Sequence, residues 1–444
     1  MKKAFSRTLY ELANQVLRQL KESRDKKEMV PVKYPYLQAK ISDFKYEKGS
    51  QSYTTSFEPF FNERWDDRKR FDFANKIKQI EEYKEAVKTI AENYNQSEAQ
   101  SGFWLDRFVH RIMDESLHDI DEKDIVELVT LFISDLEHTP IQWNPIVWLD
   151  GIQMETDLVE INKYLKIKRP EPSDLEYEIR YDITPIMRPD LGPGVPSAIM
   201  LFHHRAKDQL EMHYKIETII STLKLFRVGS VLAQRIQWNP VSMLALGGTG
   251  QNLKQSTPFK YELNKDNGQK LRDFFKIMEP MIFDRIIQKK NKEENFITIA
   301  FTRYNNALEE SMPESRLTYG TMCLEALYLR DERQELARKL SQRVASALSF
   351  FGYNPLKVYN DVKSSYNIRS IFVHGSKIER EKRSDLARLE KEMMDYARIS
   401  LIIFLQLQDN LEKNDLLTKL DNSLLDSKTK DRLTEILKKN CQIM

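Results

Sequence analysis

The chain of 444 residues has almost no cysteine, no long apolar run and almost no net charge, and each absence closes a class of explanation. Two cysteines, Cys323 and Cys441, cannot build a disulfide framework. Neither stands at a zinc-ligand spacing, so both are expected to be plain reduced thiols and no metal is assigned. No uninterrupted apolar run exceeds five residues, as at 401–405, against the ~18 that a membrane span needs, so no bilayer crossing is expected. Met1-Lys2-Lys3 opens like a secretory leader, but Arg7, Glu11, Arg18 and Lys21 interrupt what would have to be its apolar core, and a cytoplasmic location is expected. With 69 Lys or Arg against 67 Asp or Glu, the net charge of +2 neither announces a nucleic-acid partner nor excludes one, because local patches matter more than the total.

What is present is an ordinary globular composition, 41% hydrophobic and 31% charged, on a chain too long for a single core. Over residues 5–26, Leu9, Leu12, Val16 and Leu20 recur at helical spacing, and a polar, proline-containing stretch follows. Residues 69–95 and 121–136 again read as helices, the second with Ile125, Leu128, Val129 and Phe132 on one stripe and Asp121 placed to cap its start. After Pro140 the texture changes to short apolar runs at 146–149, 157–167 and 198–202, punctuated by Pro and Gly, which suits strands. A helix over 207–225 is expected to cross that sheet. Pro280 and the basic run 289–292 mark the approach to a region dominated by helices. The expected fold is α+β, predominantly α-helical, in three parts: a mostly helical region over 1–140, a strand-rich domain over 141–265 and a helical domain over 266–444.

Three local features invite a functional reading and do not sustain it. Ile-Gln-Trp-Asn-Pro occurs at 141–145 and again at 236–240, which suits two comparable strand entries where Pro limits pairing and Trp packs. Gly247-Gly248-Thr249-Gly250-Gln251-Asn252 lacks the Gly-Lys-Ser/Thr ending of a phosphate loop, and a flexible loop is expected there, before a strand at 259–263. His203, His204 and His213 could offer nitrogens to zinc, but adjacent strand residues point to opposite faces and no carboxylate or cysteine stands at a familiar spacing.

The most informative stretch is Tyr366-Asn367-Ile368-Arg369-Ser370-Ile371-Phe372-Val373-His374-Gly375, a predicted helix that carries an arginine and a histidine five positions apart and then stops. Guanidinium holds phosphate with a fixed fork of donors, and imidazole, which titrates near pH ~6.5 in model peptides, moves protons at neutral pH. Residues five apart on a straight helix lie about 140° apart around its axis, so the pair needs a break in regularity. Gly375 supplies one, because glycine just past a helix end accepts the left-handed conformation and leaves His374 at the terminus. Val362, Tyr366, Arg369 and Val373 then share one stripe, with Ile368, Ile371 and Phe372 on the buried side. Arg111 and His118 offer a second match of similar spacing, but in a charged helical stretch with no glycine stop, where exposed helix residues are the expected reading.

Ahead of the motif stand Leu324-Glu325-Ala326-Leu327 and Ser341-Gln342-Arg343-Val344-Ala345, and after it a long closing helix from Ser384. This order resembles the HEPN superfamily, specifically its Apea-like branch, over about residues 296–408, and more faintly over 148–168. The resemblance implies a HEPN-like helical bundle that pairs with a second copy, metal-independent endoribonuclease activity at a dimeric composite site, no cofactor, and employment as an anti-phage defence or toxin effector. RNA, of tRNA or mRNA kind, is the implied substrate. The family's motif often has Asn, Asp or His directly after the arginine, where this chain has Ser370.

On that reading Arg369 and His374 are the candidate catalytic pair, supported by Glu325, Ser370, Tyr366 and Gly375, with Glu325 orienting Arg369 from the neighbouring helix. Between residues 363 and 391 eight Lys or Arg face four acids, a local surplus of +4 beside the motif, and Lys363, Lys377, Arg380, Lys382 and Arg383 are candidate RNA contacts. A solvated loop explains that run equally well. Tyr304, Tyr319, Tyr359 and Tyr366 could stack unpaired bases, although core packing accounts for most of them. The alternative class is a catalytically inactive HEPN-like pairing module, with a regulatory partner or ligand at the N-terminal domains.

Overall fold

The computed structural model describes every residue except 1, 48–49, 119, 181–195, 252–260, 289–294, 331, 376–384 and 444. In chain order the elements are α1 (Lys2–Asp25), β1 (Pro31–Glu47), β2 (Ser50–Trp65), α2 (Asp67–Ile77), α3 (Glu81–Tyr94), α4 (Glu98–Glu115), α5 (Glu122–Glu137), β3 (Ile141–Trp143), β4 (Ile146–Asp150), β5 (Ile152–Met154), β6 (Leu158–Asn162) and β7 (Leu165–Lys168). There follow α6 (Pro172–Leu175), β8 (Tyr177–Arg180), β9 (Ala198–Phe202), β10 (His204–Ala206), α7 (Gln209–Phe226), β11 (Leu232–Trp238), β12 (Gly248–Gln251) and β13 (Tyr261–Leu263). The remainder is helical: α8 (Asn267–Ile282), α9 (Phe296–Glu309), α10 (Pro313–Tyr328), α11 (Leu336–Ser349), α12 (Pro355–Val373), α13 (Leu386–Leu407), α14 (Lys413–Ser423) and α15 (Ser427–Asn440). The fold is α+β and predominantly α-helical. Among the described residues no helix is long and apolar enough to cross a membrane.

The chain forms two compact units, each assembled from separated segments: Met1–Val147, Pro170–Met212 and Arg235–Asn252 in one, Trp148–Arg169, His213–Gln234 and Leu253–Met444 in the other. Sequence texture suggested three successive regions instead. Residues 141–265 contribute to both units, and periodicity along the chain carries no record of which unit a short strand joins.

In the first unit, α1 buries Phe5, Leu9, Leu12, Val16 and Leu20 against α3, α4 and α5. That stripe recurs every three or four residues, as an amphipathic helix requires. Phe108 of α4 meets Phe132 of α5 with ring centroids 4.7 Å apart. α5 starts where expected: the Asp121 carboxylate accepts the Asp124 backbone N–H, and Asp124 accepts that of Asp121. The stretch read as one helix over 69–95 is two, α2 and α3, separated at residues 78–80.

The polar, proline-containing stretch after α1 is the long antiparallel hairpin β1–β2, in register from Pro31↔Trp65 to Glu47↔Ser50 with a bulge between Ser42 and Lys45. β8 pairs antiparallel with β1 over Tyr36↔Arg180 to Ala39↔Tyr177. Trp65 anchors the hairpin's end, buried with its Nε1–H on the Met113 carbonyl at 2.6 Å. Gly248–Gln251, expected as a flexible loop, is β12, an antiparallel partner of β11. The two Ile-Gln-Trp-Asn-Pro pentapeptides lie against each other: the Asn144 N–H donates to the Asn239 carbonyl at 2.8 Å and the Val241 N–H to that of Gln142 at 2.8 Å.

The second unit places the β6–β7 hairpin and the parallel pair β5–β13 beside a helical body. Gly151 has φ +87°, and a Cβ built there would lie 1.9 Å from the Ser230 carbonyl oxygen, so this approach requires glycine. Pro280 does not end α8. The helix continues to Ile282 and then widens into a π-helical turn, Phe283–Ile287. α13 is the core helix, apolar from Leu401 to Leu405 and buried along most of its length. At ~1.5–3 kcal/mol for each fully buried large apolar side chain, this helix is a main source of the unit's stability. α10 lies close to it, with Gly320 facing Met393 and Met394. The buried Arg316 guanidinium on α10 bonds the buried Glu390 carboxylate on α13, satisfying both charges.

Candidate functional site

α12 begins with Asn354, whose side chain accepts the Lys357 N–H at 3.0 Å, and with Pro355 at the first helical position, where a missing N–H costs nothing. Val358, Asp361, Val362, Ser365 and Ile368 are its buried face, packed against α10, α11 and α13. Val362 is therefore core and not part of the arginine stripe, while Ile371 and Phe372 are only half-buried. The rows of a helix follow i, i+3 and i+4, so the face set by Val358 and Ile368 returns at residue 372, where α12 is about to end.

The end follows the glycine logic. His374 caps α12, its N–H on the Ser370 carbonyl at 3.2 Å, and the Gly375 N–H reaches the Phe372 carbonyl at 3.0 Å with Gly375 at φ +70°. His374 is exposed, as is Val373. Ser370 and Tyr366 are half-buried, and Lys363 is exposed with its ammonium 5.6 Å from the Tyr359 ring centre.

Arg369 sits between these groups. One terminal nitrogen, Nη2, lies 3.5 Å from Oε2 of Glu325 on α10, and its Cζ lies 5.9 Å from the Tyr366 ring centre. The Arg369 side chain is 24% exposed and that of Glu325 19%, and the buried Arg369 Nε has no hydrogen-bond partner among the described residues. This is a single-point contact and not the two-bond fork that makes arginine–carboxylate pairs strong. The electrostatics agree. Burial pushes the Glu325 carboxyl above its ordinary value, and the opposing pull of the Arg369 charge does not cancel it. Tyr366 is likewise raised, by burial and then by the Glu325 charge. The guanidinium thus keeps donor capacity that an external anion could use.

The structure brings Arg369, Glu325 and Tyr366 together. Among the described residues no hydrogen bond or ion pair joins His374 to Arg369. Lys377, Arg380, Lys382 and Arg383 lie outside the described residues. Tyr304 is no stacking surface: it is fully buried, its hydroxyl donating to the Lys224 carbonyl at 2.9 Å. The second arginine–histidine match is spent on the surface, with Arg111 paired to Glu115 at 2.6 Å and His118 exposed beyond the end of α4. His203 shares a 2.7 Å hydrogen bond with the Asn144 side chain, His213 is exposed, and among the described residues no group of three or more His, Cys, Asp or Glu could hold a metal.

One feature of the site was not read from sequence. Asp361, two turns before Arg369, accepts Arg388 at 2.7 Å on one oxygen and Lys357 and the Tyr396 hydroxyl, each at 2.9 Å, on the other. This buried carboxylate ties α12 to α13. The Lys357–Asp361 spacing of four was visible in sequence, but its partners on α13 were not. Comparison of the chain with family models, with curated proteins and with solved structures returns no match.

Proposed function

We propose that the protein is a metal-independent endoribonuclease of HEPN type, acting as a homodimer in bacterial defence or as a toxin, with Arg369 and His374 at a composite site. The observation that carries this reading is the end of α12: an exposed histidine at the cap, one turn beyond an arginine held by a single weak contact. A lone imidazole cannot serve as base and acid in the same displacement, and a two-fold pair of α12 helices supplies two. The exposed row of α12, with Leu356 69% and Val373 55% exposed and Tyr359 and Tyr366 half-buried between them, suits such pairing.

In the proposed step, neutral His374 of one protomer takes the proton of a ribose 2′-hydroxyl, and O2′ attacks the adjacent phosphorus. The P–O5′ bond breaks, and the protonated partner's His374 gives its proton to the leaving oxygen. Each transfer contributes ~10²–10⁴-fold. Arg369 holds the phosphate and offsets the charge that grows on its oxygens. The products are a 2′,3′-cyclic phosphate and a 5′-hydroxyl. Those ends provide the test: cleaved RNA carries them, and a substrate with 2′-deoxyribose throughout resists. Products with 5′-phosphates would overturn the mechanism.

A second reading, an inactive pairing module, is favoured by the same exposed row on α12. It predicts a dimer that leaves RNA intact and a protein whose expression is equally tolerated with His374 or with His374→Ala. The nuclease reading predicts toxicity that His374→Ala relieves.

A further inference from the structure

The two pentapeptides that the nuclease reading leaves unexplained build a cleft in the first unit. Their clasp fixes the turn segment after β11, residues 239–247, and the Met243 N–H donates to Asp135 Oδ2 at 2.9 Å, which ties that segment to α5. Between it, α4 and α5 lies a cleft of ≈ 580 Å³, within the range of small-molecule sites. Leu128, Leu131, Pro240 and Val241 form its apolar wall, and Asp114 and Asp135 are among its polar lining. Val241 is 58% exposed and Leu131 48%, so apolar surface there remains in water.

Arg107 of α4 lines this cleft, and among the described residues its buried Nε has no hydrogen-bond partner. The carboxylates near it are committed elsewhere: Asp106 to Lys78 at 2.7 Å and to the Tyr83 hydroxyl at 2.7 Å, Asp114 to Arg70 at 2.8 Å, Glu115 to Arg111 at 2.6 Å. Burial and the neighbouring Arg70 charge disfavour the Arg107 cation, Asp114 and Asp106 offset this only in part, and an arriving anion reduces the remaining cost.

We infer that this cleft binds a small organic anion with a flat ring, of the nucleoside 5′-monophosphate class, the phosphate on Arg107 and the ring against Leu131, Pro240 and Val241. The clasped turn segment makes the site pre-formed, so little ordering is lost on binding. The inference is independent of the nuclease reading.

The test is calorimetric titration of the full chain with the four 5′-monophosphates, the four matching nucleosides and inorganic phosphate. At least one monophosphate should bind saturably, with its nucleoside and phosphate alone each at least ~10-fold weaker. Arg107→Gln should weaken it at least ~10-fold, and so should Leu131→Glu, which sets a carboxylate at the cleft mouth from a half-exposed helix position and leaves Arg107 in place. The inference is overturned if no monophosphate binds, if a nucleoside or phosphate binds equally well, or if both variants bind like the parent.

Discussion

Replacing Asp361 by alanine should loosen α12 from α13 without touching the proposed chemistry. The Asp361 side chain is 5% exposed and accepts three hydrogen bonds, from Arg388, Lys357 and Tyr396. Fully buried, bonds to a charged group contribute ~1.5–3 kcal/mol each. Lys357 and Arg388 are nearly half exposed and would regain water, so each is worth nearer ~0.5–1 kcal/mol. The Tyr396 hydroxyl, in a residue 1% exposed, keeps Lys357 at 3.1 Å as its one partner among the described residues. With the Tyr396 bond at ~1.5–3 kcal/mol the sum is about 2.5–5 kcal/mol, or roughly 5–20 °C in melting temperature for a unit of this size. The pH dependence has a definite sign. Burial alone would raise the Asp361 carboxyl, but the bonds from Arg388, Lys357 and Tyr396 outweigh it and hold the group below its ordinary value. Its contribution is therefore complete above the unfolded value of ~3.9 and is lost as pH falls through the folded one. Scanning calorimetry of the full chain should show the gap between parent and Asp361→Ala whole at neutral pH and closing below pH ~4. An Asp361→Ala chain that melts with the parent at neutral pH, or a gap unchanged in acid, refutes the reasoning.

Three other substitutions probe separate links. Gly151→Ala forces a Cβ onto the Ser230 carbonyl at φ +87° and should cost more than ~4 kcal/mol, seen as loss of folded protein on expression; normal yield and melting would show the close approach to be wrong. Gly375→Ala meets no atom within 4 Å among the described residues and should cost only the left-handed strain, ~1–2 kcal/mol, measured by melting. Glu325→Gln removes a carboxyl that burial raises: in the parent, stability falls as pH rises from ~4.3 through the folded value, so the variant should have the flatter profile over that window and change by under ~1 kcal/mol at neutral pH. A larger loss would mean that the Arg369 ion pair outweighs the burial cost.

How much was legible in the sequence depends on whether local order sufficed. α1, α5 with its Asp121 cap, and the glycine-terminated end of α12 follow from periodicity and capping within one chain segment. β9 was equally plain, five apolar residues in a row. The β1–β2 hairpin was not, because its apolar positions change parity along β1, from Val32, Tyr34 and Tyr36 to Leu37, Ala39 and Ile41, Pro35 and Pro59 interrupt the pattern, and most of its residues are half-buried or exposed. β12 is a strand only because β11 accepts it, and no glycine-rich run announces its partner. At the candidate site, the placing of His374 by Gly375 was local and readable. The depth of Val362 and the Asp361 network depend on how α13 packs, which short-range spacing does not encode.

The measurement that bears most directly on the proposed function is cleavage of mixed RNA by the purified chain in excess EDTA, run beside Arg369→Ala and His374→Ala chains of unchanged melting temperature. The account predicts cleavage undiminished by chelator and reduced at least ~10²-fold in either variant. An intact RNA with the parent chain, or cleavage that survives both substitutions, contradicts it.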